Sequence, residues 1–199
     1  MAKLYFRFGT MNSSKSAQIL IVKHNYEERG MKCLLLKPEI DNRDGENIVS
    51  SRIGLSSPCI SLETFINGFA EDENGNRITK ENLSKYHAIL VDECQFATTK
   101  QIDILGRIVD EFNIPILCYG LRTDSNGHLF EGSKRLFEIA DVLEQLKTVC
   151  WCGKAATMNG RIRDGKLVKD EEVICLGGNE TYIPLCREHY NSGEFKNFI

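Results

Sequence analysis

Hydrophobic and polar positions alternate from the first residues: Leu4, Phe6 and Phe8 fall on one side, Tyr5 and Arg7 on the other. A period of two is that of a strand. Gly9 breaks the run. From Lys15 onward Ala17, Ile19, Leu20 and Val22 mark an amphipathic helix, which Gly30 closes. Met31–Lys37 reads as a second, buried strand stopped by Pro38. Residues 39–58 are polar and without period, as in a functional or mobile loop, and carry Asp41, Arg43, Asp44, Ser50, Ser51 and Arg52. Cys59–Leu62 is a weak strand, and residues 71–82 carry the turn chemistry of a surface excursion. His87–Val91 is an apolar run that ends in Asp92 and Glu93, the pattern of a buried parallel strand. Ile102, Leu105, Ile108, Val109 and Phe112 then recur at helical spacing, and Pro115–Gly120 is a further buried strand. Strands alternating with helices predict a parallel sheet covered on both faces, with ligands beyond the strand C-termini. That rule gathers Gly9–Ser16, Asp92–Phe96 and Gly120–Asp124 at one crevice. Beyond about residue 146 the helical patterns stop and glycines punctuate short segments. Two domains are therefore expected, an α/β domain over 1–145 and a small β-rich domain over 146–199.

Composition narrows the class. With 42% hydrophobic and 27% charged residues, the 199-residue chain suits a globular protein with an adequate core. A net charge of −3 lacks the basic stripe of a nucleic-acid binder, so no nucleic-acid partner is expected. No apolar run reaches the length of a membrane span and no signal-peptide design opens the chain, so a cytoplasmic protein without membrane association is expected. Of the eight cysteines, Cys33, Cys59, Cys118 and Cys175 sit in or beside apolar stretches and Cys94 follows the acidic pair. These read as buried thiols that need no disulfide in a reducing cytosol.

The segment between the first strand and helix carries candidate chemistry. Gly9, Thr10, Met11, Asn12, Ser13, Ser14, Lys15 and Ser16 form a strand–loop–helix junction of P-loop type. Backbone N–H groups curl around a phosphate there, Lys15 neutralises the outer phosphates and the Ser16 hydroxyl ligates Mg²⁺. The usual pattern has glycine before the lysine. Here it is Ser14, and a left-handed backbone at a residue with a side chain costs roughly 1–2 kcal/mol. Asp92, at the end of its strand, stands where such a protein places the acid that holds Mg²⁺ or its waters. Glu93 is placed to take a proton from an attacking hydroxyl or water.

The remaining cysteines make a second pattern. Cys150-Trp151-Cys152 and Cys186-Arg187-Glu188-His189 each offer two soft ligands from a tight turn. Together they supply the S₃N set of a closed structural zinc site, although the first pair is one residue shorter than the commoner C-x-x-C. His24, His87 and His128 lack such partners and are expected at the surface or locally hydrogen-bonded.

Taken in order, the loop Gly9–Ser16, the segment Val91-Asp92-Glu93-Cys94-Gln95-Phe96, the paired knuckles and Gly177-Gly178-Asn179-Glu180-Thr181-Tyr182 resemble type II thymidine kinases. The resemblance spans about residues 4–190. It implies a RecA-like P-loop NTPase sheet flanked by helices, plus a small zinc-ribbon-like β domain carrying a lasso loop over roughly 154–182. It also implies transfer of the γ-phosphoryl of ATP to the 5′-hydroxyl of thymidine, with deoxyuridine possible. On that pattern Glu93 is the proton acceptor, Lys15, Ser16, Asp92 and Gln95 serve ATP and its Mg²⁺, and Arg43 steadies charge during transfer. Met11, Phe96, Leu121 and Phe130 wall the nucleoside, backbone groups at Cys175, Leu176 and Gly177 meet the base, and Tyr182 closes the site. A homotetramer and feedback by dTTP come with the resemblance alone.

Two other readings compete. Asp92-Glu93-Cys94-Gln95 also resembles the water-orienting motif of motor ATPases and helicases, but those need a second clasping domain and a basic track. A zinc-bearing interaction module would leave Lys15 and Glu93 without a task.

Overall fold

The computed structural model describes residues 1–41, 47–68, 79–169 and 182–196, together with positions 45, 71 and 75. The chain runs β1 (Leu4–Gly9), α1 (Lys15–Glu27), β2 (Cys33–Lys37), β3 (Ile48–Ser50), β4 (Ser56–Pro58), β5 (Ile60–Ser61) and α2 (Leu62–Ile66). It continues with α3 (Lys80–Leu83), β6 (Ala88–Val91), a 3₁₀ turn at Cys94–Phe96, α4 (Thr99–Phe112) and β7 (Ile116–Leu121). After α5 (Glu131–Ile139) and β8 (Val142–Gln145) come β9 (Met158–Arg163), β10 (Lys166–Val168), β11 (Tyr182–Leu185) and α6 (Arg187–Ser192).

Six strands form one sheet in the order β5-β2-β6-β7-β1-β8, every pair parallel. Alternate residues of each strand feed opposite faces. Leu34, Leu36, Ile89, Val91, Ile116 and Cys118 pack with α4 and α5 through Ile102, Leu105 and Leu136. Leu35, Leu90, Leu117 and Tyr119 pack with Ile19 and Leu20 of α1 on the other face. Burial on both sides is why these strands read as continuous apolar runs rather than alternating ones. The polar Arg7 within β1 is accommodated by its neighbours: its Nε donates to Glu144 Oε2 at 2.8 Å and its Nη1 to the Tyr119 hydroxyl at 2.5 Å. Helix α4 starts at a capping box, Thr98 accepting from Gln101 N while the Gln101 side chain accepts from Thr98 N.

A second sheet, β10-β9-β11, is antiparallel and packs on Cys150, Ala156, Leu185, Cys186 and Tyr190. β9 crosses closely here: a Cβ on Gly160 would come within 2.6 Å of Leu167 Cδ2 and 2.7 Å of Leu185 Cδ1. Only glycine leaves that space.

The structure corrects three sequence expectations. Residues 39–58 are not one irregular loop, because β3 and β4 form an antiparallel hairpin within them. Its second strand is Ser56-Ser57-Pro58, which has no apolar alternation to read. The strand at Cys59–Leu62 shrinks to Ile60–Ser61, since the Ser61 hydroxyl accepts from Thr64 N and starts α2 at Leu62. The first part of the 154–182 span is the β9–β10 hairpin rather than loop; 170–181 lie outside the described residues. The buried-thiol expectation holds for Cys59, Cys94 and Cys118, while Cys33 is half-buried. Burial pushes the Cys33 thiol up to about 12 and Cys59 up to about 11, which keeps both protonated and unreactive. Cys175 falls outside the described residues. His24 pairs with Glu28 at 3.3 Å, His87 Nδ1 accepts from Lys32 N, and His128 is exposed, as expected for histidines without a metal role.

Candidate active site

Parallel pairing brings the C-terminal ends of β1, β6 and β7 to one edge of the sheet. Gly9 and Leu121 are register partners, and Val91 lies opposite Cys118. β7 therefore stands between the loop-bearing strand and the acid-bearing strand. The loop itself is tight. A Cβ on Gly9 would sit 2.3 Å from Ser13 Oγ, so only glycine fits at its start. Asn12 (φ 62) and Ser14 (φ 58) both adopt left-handed backbone, and Ser14 immediately precedes α1. Ser14 thus keeps the conformation that glycine usually supplies, at a cost on the order of 1–3 kcal/mol. Lys15 is 7% exposed, and its Nζ donates to Thr10 O at 2.8 Å and Ser13 Oγ at 3.3 Å. A helix N-terminus, curled backbone and a buried ammonium make one anion-binding pocket.

Across β7, Asp92 is 2% exposed and its carboxylate accepts from the Ser16 hydroxyl and, at 3.0 Å, from Glu93 N. Burial, with the Glu93 charge adding to it, raises the Asp92 carboxyl to about 7 despite those hydrogen bonds and Lys15. Ser16 and Asp92, the pair expected at Mg²⁺, are thus in contact. Glu93 is held with φ 49 at the head of the 3₁₀ turn. Its Oε2 accepts from Gln95 Nε2 at 2.5 Å, and Gln95 Oε1 accepts from Leu121 N at 2.9 Å. Gln95, 1% exposed and assigned to ATP from the sequence, therefore ties the glutamate to the end of β7. Two glycines let these segments close: a Cβ on Gly120 would lie 2.7 Å from Gln95 Oε1, and one on Gly132 would lie 2.3 Å from Cys94 O.

Two of the expected nucleoside walls meet. Phe96 and Phe130 pack edge-on with centroids 5.7 Å apart. Leu121, at the end of β7, is fixed by Ser133 Oγ, which donates to Leu121 O at 2.6 Å. Met11 is tied by its N–H to Asn159 Oδ1 at 2.8 Å, and Asn159 Nδ2 donates to Thr123 O at 2.9 Å. Asn159, 2% exposed, had no sequence signal: it is one polar residue in a short strand among other polar residues. Tyr182 opens β11 opposite Arg161 in the small sheet. Arg43, Cys175, Leu176 and Gly177 lie outside the described residues.

The ligand atoms of Cys150, Cys152, Cys186 and His189 lie within 4.8 Å of one another. Cys152 and Cys186 Sγ are 4.0 Å apart, and His189 Nδ1 is 3.3 Å from Cys186 Sγ and 3.5 Å from Cys150 Sγ. A tetrahedron with metal–sulfur bonds of about 2.3 Å has edges of about 3.8 Å, so the donors fit a metal site. Burial would raise the Cys150 thiol, but N–H groups of Cys152 and Cys186 together with His189 outweigh it and lower it to about 6. Trp151 stacks at 4.4 Å on the His189 ring.

A sequence model of the thymidine kinase family matches residues 2–190. The thymidine kinase of Lactococcus lactis is 45% identical over 96% of this chain and 97% of its own length. That of Rhodopirellula baltica is 45% identical over 98% of this chain and 91% of its own, and that of Streptococcus pyogenes serotype M3 is 43% identical over 98% and 100%. Among solved structures, Bacteroides Pif1 bound to single-stranded DNA superposes with a TM-score of 0.44 at 13% identity, over 72% of this chain and 38% of its own. At that distance it carries no argument. With the loop, the acidic pair and the Cys/His cluster all in place within the matched span, the chain belongs to the thymidine kinase family.

Proposed function

We propose that this chain transfers the γ-phosphoryl of ATP to the 5′-hydroxyl of thymidine, giving dTMP and ADP for nucleotide salvage, with deoxyuridine as a second acceptor. The observation that carries the reading is the placement of Glu93: a carboxylate held by Gln95, next to Asp92, which contacts Ser16 of the phosphate loop, and three residues before Phe96, whose ring packs on Phe130. Phosphoryl transfer needs mainly positioning and charge neutralisation. Lys15 and the N–H groups of residues 9–16 hold the phosphates, Ser16 and Asp92 hold Mg²⁺, and Arg43 steadies the transferring group. When bound, Mg²⁺ neutralises charge on the phosphate oxygens. Glu93 accepts the 5′-hydroxyl proton, and Gln95 keeps its carboxylate aimed. On the family pattern the base is walled by Met11, Phe96, Leu121 and Phe130 and met by backbone groups at Cys175, Leu176 and Gly177, with Tyr182 closing the site.

The division near residue 146 gives the second unit its own organiser. Cys150, Cys152, Cys186 and His189 hold Zn²⁺, a closed site that organises the fold and leaves no position open for chemistry. Cytoplasmic location, a homotetramer and inhibition by dTTP complete the reading on family grounds. Among the described residues no helix is long and apolar enough to cross a membrane.

A screen of nucleosides for ADP release with Mg·ATP tests the reading. Thymidine should stimulate release, and Glu93→Gln should lower turnover by about 10²–10⁴ while ATP binding persists. No nucleoside-dependent ADP release, or wild-type turnover in Glu93→Gln, would reject it.

A further inference from the structure

The β3–β4 hairpin lies against the phosphate loop and brings a cation to it. Its turn is closed by Gly54 N donating to Ser51 O at 3.0 Å, with Gly54 in left-handed backbone, and Ser51 N donates to Leu55 O at 2.8 Å. Arg52 occupies the first central position of that turn and is exposed. The hairpin is fixed behind it. Val49 is buried with Ile19 and Leu20 of α1, Lys37 Nζ donates to Ile48 O at 2.8 Å, and Cys59 N donates to Asn47 O at 2.9 Å. From this platform the Arg52 guanidinium donates through Nη1 to the side-chain oxygen of Asn12, at the crest of the phosphate loop.

We infer that Arg52 is a phosphate-binding residue of the kinase site, contacting the outer phosphates of a nucleoside triphosphate from the solvent side of the loop. This rests on the proposed phosphoryl transfer and adds a residue to it. Lys15 is buried within the loop and held by Thr10 and Ser13, so it serves the loop's interior. Arg52 instead meets the loop at the exposed Asn12. Asn12 Oδ1, one acceptor that it meets here, is a neutral amide oxygen. A phosphate oxygen at the same lip is charged, and a charge-assisted hydrogen bond is roughly twice as strong as a neutral one. The guanidinium fork also suits two phosphate oxygens, which an ammonium cannot bridge in the same way. The contact with Asn12 holds the side chain within reach of that site, so little side-chain freedom is lost on binding.

The test uses the full chain with Arg52→Ala and Arg52→Lys. ATP and ADP binding are measured by titration calorimetry, and KM for ATP and for thymidine by ADP release. Arg52→Ala should weaken ATP about tenfold or more, the loss of one charged hydrogen bond. ADP should weaken less, because it lacks the outermost phosphate. Arg52→Lys should recover only part of the loss, and thymidine KM and the melting temperature should stay at the wild-type values. ATP affinity within twofold of wild type in Arg52→Ala would overturn the assignment. So would an equal rise in both KM values with a lowered melting temperature, which would mark Arg52 as a tether for the hairpin. If the wild type binds ATP but no nucleoside stimulates ADP release, the kinase reading fails while calorimetry still judges Arg52.

Discussion

Asp92 lies almost without solvent contact beside a second acid, and that placement gives the folded chain a definite pH dependence. Its carboxyl is raised to about 7, from an ordinary carboxylate value near 3.8, by burial and by Glu93. Below the ordinary value it is protonated whether the chain is folded or not, and nothing is lost. Between there and about 7 the unfolded chain releases the proton while the folded chain keeps it. Stability from this group is therefore present in acid and is lost as pH rises through that window. In Mg²⁺-free buffer, urea melts of Asp92→Asn and wild type should diverge as pH increases, with the variant gaining, and the gap should level off above about pH 7. A gap independent of pH would mean that Asp92 is ionised in the fold throughout. Mg²⁺ held at Ser16 and Asp92 would reverse the balance, because a neighbouring divalent charge favours the ionised form. The strain at this edge is of the same kind: Glu93, Asn12 and Ser14 all occupy left-handed backbone without being glycine. They cluster where the chemistry is placed, and hydrogen bonds hold them there: Ser13 Oγ and Lys15 Nζ donate to Thr10 O beside Asn12 and Ser14, and Gln95 Nε2 donates to Glu93.

At the scale of elements, the metal cluster is where local sequence contributes most. Cys150 and Cys152 leave one turn, Cys186 starts α6, and His189 stands on the first turn of that helix. The surrounding cluster is small, with Cys150, Ala156, Leu185, Cys186 and Tyr190 as its buried members. A unit of this size depends on its metal, whose binding can contribute on the order of 10 kcal/mol to folding. Cys186→Ser, or a strong chelator, should therefore expose residues 148–169 and 182–196 to proteolysis and to amide exchange. Sites in the six-stranded sheet should stay protected. Equal protection of both regions in metal-free protein would remove the organising role. This cluster, the loop and the acidic strand end were legible because each is a short pattern of chemically distinctive residues on one element. The parallel sheet was legible because strands buried on both faces are uninterrupted apolar runs, as in Leu34–Leu36 and Ile89–Val91. The hairpin carrying Arg52 was not, since Ser56, Ser57 and Pro58 pair through backbone groups with no side-chain signature. Gln95 was assigned to ATP through the family resemblance, and its bonds to Glu93 and to Leu121 N on β7 are relations that only the fold reveals.

In the whole molecule, the small sheet is joined to the larger one at the walls of the proposed pocket. Asn159 bridges Met11 N and Thr123 O, Arg122 Nη2 donates to Thr157 O at 2.7 Å, and the Tyr190 hydroxyl donates to Ser125 O at 2.6 Å. Every one of these bonds lands on Met11 or on residues 122–125, the segment between Leu121 and Phe130. Tyr190 directly follows the metal-site residue His189, so the cluster and the nucleoside walls are connected through one short helix. Asn159→Ala should leave the buried Thr123 C=O without its Asn159 partner, at about 1–3 kcal/mol, and the part-buried Met11 N–H without its own, at less. If the small unit merely caps the fold, that loss appears as a lower melting temperature with both KM values unchanged. If it sets the pocket, thymidine KM rises about tenfold, the kinetic equivalent of about 1.4 kcal/mol, and ATP KM changes less. Tyr190→Phe, which keeps the ring and removes one bond, should move thymidine KM in the same direction by a smaller factor. Steady-state kinetics with each substrate varied in turn separates these outcomes. The expected one is the thymidine-selective rise, because Met11 and the 122–125 segment belong to or adjoin the proposed walls, whereas Lys15 Nζ bonds Thr10 and Ser13 of the loop itself.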